Sequence, residues 1–132
     1  MTSIPLGTRG TFALVVAPQH LANQFKDATL PPVLATPVMI MAMENAALNA
    51  LKPFLAAGES ALGTAVDVRH VAATPVGQRI VAEAEVTEVE GRRIAFKVVA
   101  RDSLEEIGHG THERVIVALD RIAARLAAKS SR

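Results

Sequence analysis

Three polar side chains in this sequence stand where a packed fold has little use for them. Glu44 is the first ionisable residue after the unbroken apolar run Val38-Met39-Ile40-Met41-Ala42-Met43. A carboxylate on a buried helix is costly to ionise unless it is hydrogen-bonded, its pKa tends to rise, and such groups often do chemistry as bases or nucleophiles. The plainer alternative is that Glu44 opens a solvent-facing stripe with Asn45 and Lys52. His70 comes just before the Ala72-Ala73-Thr74-Pro75 turn, at the end of an alternating segment. A strand end is fixed by the sheet while the turn leaves it accessible, and imidazole is the usual acid/base near neutral pH. A half-exposed strand-end histidine with no role is the alternative. Thr36, followed by Pro37, has the makings of an ordinary helix N-cap, but its hydroxyl could also polarise a carbonyl or hold a water. Thr36 and Glu44 are eight positions apart, about 12 Å along a straight helix. The helix alone cannot join their side chains, so His70 or a partner subunit must lie between them.

Other residues are weaker candidates. Gly63, at the start of the segment that ends in His70, permits close approach by a ligand, or else marks a bulge or tight packing. Arg114 shares a strand face with His112 and Ile116, opposite Val115, and either binds a polar ligand group or makes a structural ion pair. His109-Gly110-Thr111-His112 invites a metal reading, but residues three apart on a strand point to opposite faces, and no metal site is expected. No glycine-rich phosphate loop and no G-x-S-x-G elbow is present.

These side chains need elements to carry them. Thr11 to Val16 reads as a strand between Gly10 and Pro18, and residues 18–33 as a loop with a helical turn near Leu21 to Phe25. From Pro37 to Leu51 there is no glycine and no further proline, and Met, Ala and Leu favour a helix that Pro53 and Gly58 end. Its first two turns are apolar on every side, the pattern of a buried helix. Beyond Gly58 the period changes to two. Strands are predicted over Leu62 to Val71, around Ile80 to Thr87, from Ile94 to Arg101, and over Thr111 to Leu119 with Val115, Val117 and Leu119 inward. Glu90-Gly91 makes a hairpin, and a short basic helix runs from Ala123 to Lys129. One strand, one long helix and a four-strand meander give an α+β fold: an antiparallel sheet of about five strands wrapped around one long helix, the hotdog arrangement. The 132 residues are expected to form a single such domain, 1–132. Its sheet edge and partly covered helix call for a second subunit, at least a homodimer.

Composition removes several classes of function. Fourteen Lys+Arg against thirteen Asp+Glu leave a net charge of +1, and the four aromatic residues are all Phe. Neither a clustered basic excess nor a stacking platform is there for nucleic acid. With no cysteine, disulfides, thiolate metal sites and a cysteine nucleophile are excluded, and a reducing compartment fits. Phe12 to Ala17 is too short for a secretory segment or a membrane span. The protein is expected to be cytoplasmic, with no membrane or nucleic-acid partner.

An ordered set of motifs then becomes specific: Ala35-Thr36-Pro37, Met43-Glu44, Leu62-Gly63-Thr64-Ala65, His70-Val71-Ala72-Ala73-Thr74-Pro75, Glu90-Gly91-Arg92-Arg93, and Glu106-Ile107-Gly108 with Gly110-Thr111-His112-Glu113-Arg114. From about Gly10 to about Leu126 the chain resembles the fluoroacetyl-CoA thioesterase group of single-domain hotdog thioesterases. The resemblance implies a homodimer that hydrolyses acyl-CoA thioesters. It makes Thr36, Glu44 and His70 catalytic and places Gly63 and Arg114 against the substrate. No cofactor is implied, since CoA is part of the substrate. Glu44 would be the nucleophile or the base that activates water, and His70 would shuttle a proton to the departing thiolate. Arg69, Arg79, Arg92 and Arg93 are loose candidates for the CoA phosphates.

The fluoroacetyl-specific member of this group is similar in having aromatics in a lid before its threonine, whereas Lys26-Asp27-Ala28-Thr29-Leu30-Pro31-Pro32 has none. A short- or medium-chain acyl-CoA is therefore the expected substrate. Two other readings of the same fold are a hydratase or dehydratase, and a non-catalytic module that binds acyl ligands.

Overall fold

A computed structural model describes residues 3–131. Five strands form one antiparallel sheet in the order β1-β3-β4-β5-β2, where β1 is Arg9–Val15, β2 Glu59–His70, β3 Arg79–Glu90, β4 Arg93–Arg101 and β5 Glu106–Ala118. The helices are α1 (Ala22–Phe25), α2 (Thr36–Leu51) and α3 (Leu119–Ser130). The expected hotdog arrangement is present, with α2 held in the curl of the sheet, packed chiefly on β1 and β3. No helix among the described residues is long and apolar enough to cross a membrane.

The core lies between α2 and the concave face of the sheet. Met39, Met43 and Leu51 of α2 meet Ile80, Ile94, Phe96 and Ile116, all fully buried. Burying each such side chain stabilises the fold by about 1.5–3 kcal/mol. Gly10 lets β1 lie directly on the helix: a Cβ there would collide with the backbone of Ala46 and Ala50. The β3–β4 hairpin turns at Gly91, whose φ of 61° suits glycine.

Several sequence expectations are corrected. Helix α2 is not covered on all sides: Ile40, Met41, Glu44, Asn45, Leu48 and Asn49 form a half-exposed stripe. The face of β5 is inverted from the expectation. Its buried side carries His112, Arg114 and Ile116, while Val115 and Val117 lie on the outer, partly covered side. Strand β2 begins at Glu59 and contains a bulge between Gly63 and Ala65, so Gly63 pairs with Arg114 and Val66 with His112. The bulge moves Gly63 onto the face shared by Val66, Val68 and His70, where simple alternation had placed it opposite. The closing helix α3 starts four residues earlier than expected and buries none of its side chains.

Strand β2 ends the sheet with one side unpaired. Residues 63–67 along it are exposed, and Leu62 and Val66 keep 45% and 42% of their surface in contact with solvent. A long bare edge of this kind is a template for another strand.

Candidate active site

The first half of the site is a hydroxyl–imidazole pair at the N-terminus of α2. Ala35, extended at φ −71° and ψ 139°, is the N-cap, and Thr36 lies within the first turn without a side-chain cap bond. The expected capping role of Thr36 is thus corrected. Its Oγ1 lies 2.7 Å from Nδ1 of His70, the last residue of β2. His70 Nε2 is buried and makes no hydrogen bond. Burial pushes the His70 imidazole below its ordinary pKa, with the Ala72 backbone opposing. The ring is therefore neutral near pH 7, able to accept a proton at one nitrogen while it donates at the other. An open pocket of about 360 Å³ adjoins the pair, lined by Leu30, Val33, Val71 and Ala72 together with Lys26. Because the Thr36 hydroxyl caps nothing, Thr36→Ala is expected to shift stability by no more than about 0.5 kcal/mol. A loss of about 1–2 kcal/mol in chemical denaturation would return it to a capping role.

The second half gathers around Gly63. Glu44 projects from the half-exposed stripe of α2 toward β2 and β5. A Cβ on Gly63 would sit 2.7 Å from Glu44 Oε2 and 3.4 Å from both Arg114 Nη1 and His112 Cε1. A side chain there would push the end of the Glu44 side chain aside, so glycine leaves the carboxylate its place beside the strand. Arg114 is 7% exposed. Its Nη2 donates to the Ala61 carbonyl at 2.6 Å, and its Nη1 lies 3.9 Å from Glu44 Oε2 and 3.2 Å from His112 Nε2. Arg114 Nε is buried without a partner. Burial lowers the guanidinium pKa, with Glu44 opposing, but an arginine stays charged at any working pH.

Within one chain, then, the residues singled out from sequence fall into two groups. Thr36 meets His70, and Glu44 meets Gly63 and Arg114, but the two groups stay apart. They are eight residues apart on α2 and seven apart on β2, about 12 Å and about 23 Å respectively. His112, discounted in the sequence as a metal ligand, belongs to the second group. Its spacing of two from Arg114 was the available signal, since i and i+2 share a strand face. His109 points to the other face and pairs with Glu106 at 2.8 Å. Of the cations considered for CoA phosphates, Arg92 is held by Glu59 at 3.2 Å and Arg93 by Glu88 at 3.0 Å.

Comparison with known proteins agrees with this arrangement of elements. A model of the family described as fluoroacetyl-CoA-specific thioesterase matches residues 16–120. The fluoroacetyl-CoA thioesterase of Streptantibioticus cattleyicolor is 42% identical over 130 residues, covering 95% of this chain and 94% of the relative. A solved structure of the fluoroacetyl-CoA thioesterase FlK superposes with a TM-score of 0.91 at 39% identity, over 96% of this chain and 98% of the other. A Thermus thermophilus hypothetical protein described as a thioesterase superfamily member superposes with a TM-score of 0.94 at 32% identity, over 100% of this chain and 97% of the other. By the extent of the family match and the identity to its relatives, the chain belongs to the fluoroacetyl-CoA-specific thioesterase family.

Proposed function

We propose that this thioesterase hydrolyses a short- or medium-chain acyl-CoA as a homodimer of single-domain subunits, and that each of its sites takes Thr36 and His70 from one subunit and Glu44, Gly63 and Arg114 from the other. The observation that carries the reading is the position of the two half-sites at two points on one bare edge strand. Antiparallel pairing of β2 with its copy, about a two-fold axis at Asp67, sets Val66 opposite Val68 of the partner subunit and, because the bulge takes up Thr64, brings Gly63 opposite His70 of the partner subunit. The same pairing covers Leu62 and Val66 and gives the edge its missing hydrogen bonds. Two broken half-sites thereby become two whole ones.

In the whole site the thioester carbonyl lies at the N-terminus of α2, where the dipole favours a developing oxyanion. Glu44 takes a proton from the attacking water as the new C–O bond forms. The C–S bond then breaks, and that proton reaches the departing thiolate through the neutral His70 ring. Thr36 Oγ1 holds Nδ1 of that ring in line. The products are the free acid and CoA, and neither metal nor bound cofactor is used. Arg114 supplies a fixed positive charge beside the carboxylate. With no cysteine to need an oxidising setting, we place the enzyme in the cytoplasm.

Solved structures of the related fluoroacetyl-CoA thioesterase include complexes with acetyl-CoA and with fluoroacetate and CoA, which supports the substrate class. The pocket beside Thr36 carries Leu30 and Val33 but no aromatic side chain. We therefore expect kcat/KM for fluoroacetyl-CoA to lie within about tenfold of that for acetyl-CoA, since one small substituent in an apolar pocket is worth little. A panel of acyl-CoAs read by thiol release, with enoyl-CoA hydration measured alongside, tests the function. Thiol release from short or medium chains is expected. Hydration without thiol release would make the protein a hydratase, and binding with no turnover would make it a carrier. A fluoroacetyl preference well beyond that range would show that the lid selects without aromatics.

A further inference from the structure

His112 is 2% exposed and stacked on Phe96, with ring centroids 5.9 Å apart. The reaction described above gives it no task. Its two ring nitrogens nevertheless have different and fixed partners. Nδ1 lies 2.8 Å from the Ala65 carbonyl, which can only accept, and Nε2 lies 3.2 Å from Arg114 Nη1, which can only donate. Both bonds exist together in one form of the ring alone: neutral, with its hydrogen on Nδ1. A protonated ring would set two donors against each other at Nε2.

We propose that His112 is a positioning residue for this thioesterase, a neutral Nδ1–H imidazole that anchors on Ala65 and holds the Arg114 guanidinium beside Glu44. The inference rests on the reading that Glu44 and Arg114 act in the site. The anchor point adds to the argument. Ala65 follows the bulge of β2, so the same ring ties the distorted part of the edge strand to the buried cation. Arg114 has a second anchor at the Ala61 carbonyl. Two acceptors, one on each Nη, fix the plane of the guanidinium, while one acceptor would leave it free to rotate. The charged and titratable groups that bear on His112 are Arg114 and Glu113 from β5 and Glu44 from α2. From β2 it meets a backbone carbonyl, and from β4 the Phe96 ring. Burial, with the Arg114 charge adding to it, holds the imidazole below its ordinary pKa, in keeping with the tautomer that the contacts require.

The test joins a spectroscopic and a kinetic measurement. Long-range ¹H–¹⁵N correlation of the imidazoles in the intact protein is expected to show His112 neutral with hydrogen on Nδ1 at pH 7. An Nε2–H or charged ring would overturn the proposal, whatever the activity. His112→Gln retains one donor and one acceptor at comparable reach, whereas His112→Leu retains neither. The Leu variant is expected to lose about 10–100-fold in kcat with a smaller change in KM, the scale of a lost bond to a charged group. The Gln variant should recover most of that loss. On the acid side, log kcat/KM of the wild type should fall more steeply than that of the Gln variant, by one unit of slope, as His112 adds its proton to those taken up by the groups that both proteins share. Wild-type kinetics in the Leu variant would overturn the proposal. So would a Gln variant as poor as Leu, which would assign the loss to packing on Phe96. Should Glu44→Gln prove fully active, the proposed reaction fails, while the tautomer stays measurable on its own.

Discussion

Glu44→Gln is expected to lower kcat by about 10²–10⁴-fold, the range for loss of a general base, while the fold and the thermal midpoint stay close to wild type. Gln is nearly the same shape as Glu and can still accept a hydrogen bond from the Arg114 guanidinium. It cannot take a proton from water. Glu44 sits on the half-exposed stripe of α2, 3.9 Å from Arg114, so losing its charge removes a loose ion pair and no packing. A carboxylate kept only for stability would give the reverse pattern, with turnover intact and the denaturation midpoint moved. Steady-state thiol release and urea unfolding on the same preparation separate the two. Retained turnover in a folded Gln variant would remove Glu44 from the reaction.

His70→Ala carries the second large effect, a fall in kcat of about 10²–10³-fold. The wild-type pH profile should also show the histidine. Burial depresses the His70 pKa below the ordinary 6.5, so the neutral ring persists into mildly acidic solution. Activity should be full above pH 6.5 and fall only as the pH drops through the depressed value. Stability follows the same sign. A depressed histidine pKa means that the unfolded chain binds the proton more readily, so the contribution is complete above 6.5 and declines below it. An acid limb centred above 6.5 would contradict the burial of this ring. Combining Glu44→Gln with His70→Ala should cost little more than the worse single change, because groups that act as one unit lose their effect together. Additive losses would show the two acting separately.

Much of this was legible in the sequence, and the errors have identifiable causes. The long helix was readable from Pro37 to Leu51 because no breaker interrupts it. The meander was readable because its turns carry Gly91 and the Pro75 to Gly77 stretch. The face of β5 was misjudged because hydrophobicity was taken as the guide. Val115 and Val117 are more apolar than His112 and Arg114, yet the polar pair is buried, its polar atoms held by the Ala61 and Ala65 carbonyls and by each other. A bulge was one of the readings that Gly63 allowed, but the period-two pattern was drawn without it, and one inserted residue flips every side chain beyond it. Capping was one of the two roles read for Thr36, because Thr-Pro at a helix start usually caps. Its hydroxyl is drawn instead to His70, a contact 34 positions away that local pattern cannot contain. The separation of Thr36 from Glu44 was read as too long for the helix alone to join, and the two side chains do fall in separate groups. What lies between them was beyond a sequence reading, because the answer depends on where an edge strand leaves its two halves.

The shared site is tested most directly by a heterodimer of two inactive chains. Co-expressing Glu44→Gln and His70→Ala chains with different tags, and purifying through both, isolates dimers that carry one of each. If a site takes Glu44 from one subunit and His70 from the other, one of the two sites in such a dimer has both groups intact, and it should show about half of wild-type activity. A purified heterodimer as inactive as either parent would place all of the catalytic groups of a site in one chain and contradict the account, as would failure of the two tagged chains to associate at all.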